Sequence, residues 1–429
     1  MAIAVDKTIS KVVESGLCTG CGTCVGICPN EAIQIVKDES KGLYLPQLDE
    51  AKCNECGICL KACPGHEVDF KALNLEIFGK EPEDILLGNY LNCYTGHATD
   101  YDIRYNSASG GLVTALLIFA LEQGLIDGAL VTKMRKNNPL EPQSFIARTA
   151  EEIISAAKSK YCPVPANIAL KQLLKEEGMF AVVGLPCHIH GVRKAELVNS
   201  KLKEKVALRL GLFCSQTPSF FATEYILQKM KVGSEEVKSI DYRGKGWPGF
   251  MSINPEKAEL LLPEYWAGGF GTLFFSKRCK LCCDGINDFA DISFGDAWNL
   301  PEVSEDKVGT SLVVSRSKVG EEILRGAELK GEVELKETSS DKVVQSQRGM
   351  LLSKKGSVRA NLFVFKLLGS KVPLYDLELL KPKRPAYLRS VLCYLYWRLN
   401  IASRCYLWRF ITPLSMIQRL AWRLSGHFP

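Results

Sequence analysis

Eight of the seventeen cysteines lie in two runs of one spacing, Cys18-x2-Cys21-x2-Cys24-x3-Cys28-Pro29 and Cys53-x2-Cys56-x2-Cys59-x3-Cys63-Pro64. Thiolates at that spacing hold two [4Fe–4S] clusters, the fourth cysteine of each run ligating the other run's cluster. The first cluster is therefore expected on Cys18, Cys21, Cys24 and Cys63, and the second on Cys53, Cys56, Cys59 and Cys28. Gly20, Gly22 and Gly57 stand between ligands, where a chain wrapping a cube has no room for a Cβ. Zinc ribbons or disulfides do not require a duplicated three-plus-one spacing. The chemistry implied is the carriage of single electrons.

A second set of thiols is more widely spread. Apolar runs recur at residues 128–132, 179–183, 206–213, 290–294 and 311–314, separated by charged stretches. They read as buried, mostly parallel strands of an α/β sheet. Three of them end in potential ligands: Gly184-Leu185-Pro186-Cys187-His188, Gly211-Leu212-Phe213-Cys214 and Ser293-Phe294-Gly295-Asp296. Ligands bind at the carboxyl ends of strands in such sheets. Cys187 and Cys214 are thus expected to converge, and Cys279-x2-Cys282 would complete a third four-thiolate site. A third [4Fe–4S] cluster is expected there, with zinc the alternative on the same ligands. Taken singly, Cys187 or Cys214 is as well read as a buried core thiol.

The elements that would position this chemistry need a long chain. With 429 residues, 46% of them hydrophobic and 24% charged, two or three domains with a sizeable core are expected. Gly110-Gly111 opens an apolar helix, residues 112–121, that ends near Gly124. The first ten residues lack an apolar stretch, and no run of about 18 uncharged apolar residues occurs, so neither a secretory signal nor a membrane span is expected. The thiol content argues for a reducing compartment. Charge is uneven: residues 379–429 hold nine Lys or Arg and no Asp or Glu, which leaves the remainder with 45 basic against 48 acidic residues. That tail also carries nine aromatics, including Trp397, Trp408 and Trp422. Residues 387–410 and 414–424 read as helices. Membrane-surface contact, docking on a partner subunit and packing on the chain's own body are the readings of such a segment. Nucleic-acid binding is not expected, since nothing else in the chain fits it.

The ordered motifs Tyr105-Asn-Ser-Ala-Ser-Gly-Gly-Leu-Val-Thr114, Gly184-Leu-Pro-Cys187, Cys279-x2-Cys282-x-Asp284 and Ala290-Asp-Ile-Ser-Phe-Gly-Asp296 resemble the beta subunit family of coenzyme F420-reducing hydrogenases and dehydrogenases. The resemblance covers roughly residues 90–350, and in many members a two-cluster ferredoxin domain precedes the core. It implies one FAD with a [4Fe–4S] cluster beside it, a deazaflavin hydride carrier (coenzyme F420) as substrate, and an electron-transfer protein or oxidoreductase subunits as partners. Other reductases use the same flavin core on other acceptors, and a non-catalytic electron-input subunit is a further reading. Cys283 and the basic aromatic tail depart from the shared pattern. Clusters pass one electron and a deazaflavin takes only a hydride, so a flavin, which does both, belongs between them.

Under that resemblance the FAD contacts are expected on Asn106, Ser107, Ser109, Gly110 and Gly111, where amides at a helix N-terminus suit a pyrophosphate. Ser and Gly before a helix are more often only a cap. Lys160, Tyr161, Arg243, Gly244, Gly246, Trp247 and Asp296 complete the expected set. His188 and Lys160 are the candidates for proton transfer. The architecture expected is α/β throughout its core. An α+β ferredoxin-like domain spans residues 1–75, a flavin-binding α/β core residues 90–375, and a helical tail residues 380–429. The expected location is the cytoplasm, at the membrane periphery if the tail binds lipid.

Overall fold

The computed structural model describes residues 7–402 apart from 256–258, 264 and 268. Among the described residues the largest sheet has eight strands. In chain order these are β1 (Asn92–Ala98), β2 (Gly128–Met134), β3 (Pro142–Ala147), β4 (Phe180–Gly184), β5 (Val206–Leu212), β6 (Ile292–Asp296), β7 (Ser311–Ser315) and β8 (Val333–Thr338). They lie in the order β8-β1-β7-β6-β5-β4-β2-β3. The four central strands β2, β4, β5 and β6 are parallel neighbours. They are apolar runs, because strands covered on both faces need no polar alternation, and β4, β5 and β6 lead into the expected ligands.

The remaining four strands depart from the parallel reading. The run at 311–314 does form a strand, but β7 is antiparallel to both β6 and β1. β8 and β3 close the two edges, again antiparallel. β1 and β8 escape a reading by hydropathy because Thr95, Gly96 and His97, or Glu334, Lys336 and Glu337, interrupt them. Pro142 opens β3 at the sheet edge, where its missing N–H is tolerated. A separate antiparallel sheet of Val237–Asp241, Phe250–Pro255 and Leu260–Pro263 flanks the core.

Six helices position the chemistry: α1 (Thr23–Gly26), α2 (Leu112–Glu122), α3 (Pro186–Glu196), α4 (Lys277–Lys280), α5 (Val358–Leu367) and α6 (Arg384–Ala402). Gly111 enters α2 at φ +77°, in the left-handed region that favours glycine. Pro186 begins α3, where its fixed φ suits the first helical position. Gly22 turns the chain into α1 at φ +82°.

The cysteine-rich N-terminal part does not stand apart. Its Ile27, Ala62, Val68, Phe70 and Leu73 share one apolar core with Leu130, Phe180, Val182, Ile189 and Val192 of the α/β body. A Cβ on Gly26 would lie 2.1 Å from Asn167 O, and one on Gly191 would lie 2.1 Å from Thr23 Oγ1. Gly26 is there because two backbones meet, and Gly191 because it leaves room for the Thr23 side chain. Glu67–Val68 also pairs in parallel with Leu374–Tyr375, which ties the N-terminal part to the far end of the chain. The tail's first helix, α6, packs on α5: Ser390 Oγ donates to Asn361 Oδ1 at 2.6 Å, and Phe365 meets Tyr394 and Trp397 with ring centroids 5.1 and 5.8 Å apart. The expected helix at 387–410 therefore starts three residues earlier and is described to Ala402. The one expected at 414–424 lies outside the described residues.

Candidate iron–sulfur sites and an adjoining cationic cleft

Cys18, Cys21, Cys24 and Cys63 come together: burial, and after it the charge of neighbouring thiols of the group, pushes up the thiols of Cys18, Cys24 and Cys63. Cys28, Cys53, Cys56 and Cys59 line a single cavity with Thr8, Ile33 and Leu48. In the structure Cys63 stands with the first run and Cys28 with the second. Backbone amides of Gly20, Ala32 and Glu55 point at the sulfurs of Cys18, Cys28 and Cys53, each at 3.4 Å. Such donors stabilise negative charge on a ligating sulfur.

The third site is built at the carboxyl ends of β4 and β5. Cys187 sits in the first turn of α3 and Cys214 just beyond β5, while α4 and the turn after it bring Cys279 and Cys282. Ser276 caps α4 by accepting from Cys279 N, and Thr217 N points at Cys279 Sγ at 3.5 Å. Cys187 feels the charges of Cys214, Cys279 and Cys282, and burial pushes its thiol well above the usual range. Burial moves Cys214 the same way, to about 12. Cys187 and Cys214, whose thiols burial keeps from ionising, join a site only when a cation takes the charge, and a coordinating thiol is deprotonated outright. The donor set therefore suits an iron–sulfur cluster. Among the described residues no three His, Cys, Asp or Glu side chains close up as a lone metal ion requires.

The three thiol groups run in sequence. Cys24 of the first interacts with Cys59 of the second, and Cys21 of the first with Cys187 of the third. Two residues that spacing did not point to hold the last junction. Asn167, fully buried, donates its backbone N–H to Cys21 O at 2.9 Å and its Nδ2 to Thr23 Oγ1 and His188 O, both at 2.8 Å. Arg278 donates to Pro64 O at 2.9 Å and Gly65 O at 3.0 Å, and its charge reaches Cys18 and Cys187. Lys354 adds a second buried cation, bonded to Cys279 O at 2.7 Å. Arg278 had a signal, the basic run Lys277-Arg278-Cys279-Lys280. Asn167 and Lys354 had none.

Beside the third site, β6 ends in Asp296, next in the sheet to the strand that leads into Cys214. Asp296 accepts two bonds from Arg243, each 3.1 Å, and one from Trp247 Nε1 at 3.0 Å. Its carboxylate is thereby engaged in orienting Arg243 and holding Trp247. Arg243 also donates to Tyr161 Oη at 3.3 Å and to Ala108 O, and Asp296 holds its pKa above the ordinary range. Its Nε is buried and has no partner. Around it stand Trp247 against Trp298, with centroids 4.6 Å apart, and Trp266 below the guanidinium at 5.9 Å. Gly246 N donates to Tyr105 O at 3.0 Å, and a Cβ on Gly244 would approach Lys158 Cε at 3.1 Å. The loops at 105–111, 158–161 and 242–249 thus converge with Asp296 on one cleft.

Several expected contacts are otherwise engaged. Ser107 Oγ donates to Ile103 O and Ser109 Oγ to Thr310 O, and Gly110 N donates to Ser311 Oγ. Asn106 Nδ2 donates to Asp102 O. A Cβ on Gly110 would lie 2.5 Å from Gly96 O, so this glycine lets the loop pack on β1. Gly111 leaves α2 without a side-chain cap. Lys160 points into its own turn, donating to the carbonyls of Ala156, Ala157 and Lys158 at 2.5, 2.7 and 2.9 Å, while burial draws its pKa down to about 7. His188 is held at both nitrogens: Leu185 N donates to Nδ1 at 3.1 Å, and Nε2 donates to Val164 O at 2.9 Å. Burial lowers its pKa to about 4, so it is neutral with both nitrogens committed. It braces the turn that carries Cys187.

Three thiol groups leading to a cationic, aromatic cleft define an iron–sulfur electron-transfer protein. Comparison with known sequences agrees. Residues 17–66 match the 4Fe-4S dicluster domain, residues 93–171 the coenzyme F420 hydrogenase/dehydrogenase beta subunit N-terminal region, and residues 178–341 its C-terminal region. The chain is 32% identical to the coenzyme F420 hydrogenase subunit beta of Methanosarcina barkeri, over 59% of this chain and 84% of that one. It is 30% identical to the coenzyme F420-dependent sulfite reductase of Methanocaldococcus jannaschii over 77% of its own length, but spans only 49% of that protein. A chain of the F420-reducing [NiFe] hydrogenase complex from Methanosarcina barkeri superposes with a TM-score of 0.53 at 27% identity, covering 68% of this chain and 98% of that one. The chain belongs to the coenzyme F420 hydrogenase/dehydrogenase beta subunit family, an oxidoreductase family, and carries its own 4Fe-4S domain.

Proposed function

We propose that the chain is a flavin-dependent oxidoreductase that moves electrons through three [4Fe–4S] clusters to FAD, and between FAD and a deazaflavin hydride carrier such as coenzyme F420. The observation that carries this is the continuity of the thiol groups, Cys59 to Cys24 and Cys21 to Cys187, ending beside the cleft at Asp296. The cleft suits FAD by its chemistry: a buried guanidinium Nε without a partner, an uncapped helix start at Gly111, and tryptophan and tyrosine rings. Bound there, FAD would supply the exchange between single electrons and a hydride. The chain's residues do the positioning. Asp296 fixes Arg243 for an anionic group, Tyr161 and Trp247 offer ring faces, and Arg278 and Lys354 offset the charge of the clusters. Partner oxidoreductase subunits are part of the same reading, since two of the relatives named above are a hydrogenase beta subunit and a chain of a hydrogenase complex. Reduction of another organic acceptor by the same flavin, and service as an electron-input subunit without substrate of its own, are the competing outcomes.

Anaerobic purification with iron, sulfide, zinc and flavin analysis tests the cofactors, and hydride transfer from reduced deazaflavin to a dye tests the activity. Iron and sulfide near twelve each per chain are expected for three clusters. Eight of each, or zinc in the third site, would remove the third cluster, and absence of flavin would leave the electron-input reading.

A further inference from the structure

The tail's first helix packs one side on α5 and leaves the other uncovered. Ala386, Ser390, Tyr394 and Trp397 face the body. Leu388, Val391, Leu392 and Leu395, spaced i, i+3, i+4 and i+7, stand on the opposite face and are 37–66% exposed. On α5 next to it, Phe363 and Leu367 are 57 and 71% exposed, and Phe363 meets Tyr387 edge-on with centroids 5.8 Å apart. Scattered exposed apolar side chains are ordinary, but a stripe along one helix that continues onto its neighbour is the mark of a surface to be covered.

Its charge says by what. Lys366 on α5, and Lys381, Lys383, Arg384 and Arg398 on or beside α6, are exposed. The last acids before the tail are Asp376 and Glu378, and residues 379–429 hold nine basic residues and nine aromatics with no Asp or Glu. An apolar helical face, one-signed basic flanks, and Trp and Tyr with their apolar bodies and polar tips are the three features by which helices lie in a bilayer interface. A docking site on a protein has no need to exclude every carboxylate over 51 residues. Among the described residues no helix is long and apolar enough to cross a membrane.

We propose that the exposed face of α6 and α5 binds the surface of an anionic phospholipid membrane and lies in the interface without crossing it, the basic composition of residues 379–429 selecting for an anionic surface. The inference is independent of the cofactor assignment. It places the cluster-bearing body at the bilayer, because Lys277 of the third-site helix lies 5.6 Å above the Trp397 ring.

The test is co-sedimentation of the purified full-length holoprotein with two kinds of vesicle, phosphatidylcholine alone or mixed equally with phosphatidylglycerol, at low and high salt. Binding to the anionic vesicles only is expected, weakened by salt because each basic residue near such a surface is worth roughly a fivefold change in affinity. The double variant Leu388→Glu/Leu392→Glu changes exposed side chains only. It should keep the iron content and visible spectrum of the parent while losing at least about tenfold in vesicle affinity. A chain ending at Ala402 should retain weaker, salt-sensitive binding. The proposal is overturned if the intact chain ignores anionic vesicles at low salt. It is overturned equally if the double variant binds as well as the parent. Salt-resistant self-association that the double variant abolishes would assign the face to a second copy instead.

Discussion

The seam between the ferredoxin-like part and the α/β body is the place to test the structure, and Gly26 is the sharpest probe. Gly26→Ala adds one methyl group 2.1 Å from Asn167 O, where contacts below 3.0 Å are essentially never seen. The methyl cannot be absorbed locally, because the atom it meets is backbone. Helix α1 must therefore recede by roughly an ångström from residues 165–170. Overpacking of this kind costs about 1–3 kcal/mol, and the 2.8 Å bond between Asn167 and Thr23 that the movement breaks adds about 0.5–1.5 kcal/mol. Together the loss is about 1.5–4.5 kcal/mol. Gly79→Ala is the control. It has nothing within 4 Å and carries only the cost of φ +71° in an L-residue, about 1–2 kcal/mol. The assay is an anaerobic thermal scan that follows bleaching of the iron–sulfur absorbance beside circular dichroism of the whole chain. Both probes should shift together in Gly26→Ala, and by more than in the control. Bleaching at a lower temperature while the rest of the chain melts unchanged would refute a shared core. So would a Gly26→Ala midpoint equal to the parent's.

Other consequences are as direct. Cys187→Ala should lower iron from about twelve to about eight per chain and leave the signals of the first two clusters, as measured by iron analysis and electron paramagnetic resonance. Arg243→Gln should release flavin with iron content retained, because it leaves Asp296 without its paired cation and the cleft without its buried charge; full flavin occupancy would move the FAD elsewhere. Gly110→Val is the wrong probe for the same question, since its side chain would strike Gly96 O and disturb β1 first. His188→Gln should lower the thermal midpoint but leave the pH profile of hydride transfer unchanged, and a displaced profile would return His188 to proton transfer.

The sequence was most legible where chemistry dictates spacing. Two runs of four cysteines carry their pairing in their intervals, and Cys187 and Cys214 announced themselves by ending apolar runs. The central parallel strands were legible for a related reason: being covered on both faces, they are apolar throughout. Strand 92–98 is interrupted by polar residues and the edge strand 333–338 by charged ones, and both so resemble surface turns. The cleft was legible in its loops and opaque in its detail. Ser107, Ser109 and Asn106 look like donors awaiting a ligand, and only coordinates reveal that Ile103, Thr310 and Asp102 already accept from them. Lys160 and His188 are engaged in the same way, Lys160 with carbonyls of its own turn and His188 with Val164 O. Asn167 could not have been found, because its importance lies in touching Cys21 and His188, residues 146 and 21 positions away.

The contact between the ferredoxin-like part and the third site also bears on how the protein is made. Arg278, beside Cys279, donates to Pro64 O and Gly65 O, so the third site is met by a part of the chain that leaves the ribosome before any of that site's own ligands. Cys21, Cys24 and Cys63 of the first site are buried, whereas Cys187, Cys214, Cys279 and Cys282 keep some exposure. On the three-cluster reading the expected order of loading puts the first site early, before Asn167 and Arg278 latch the N-terminal unit onto the body.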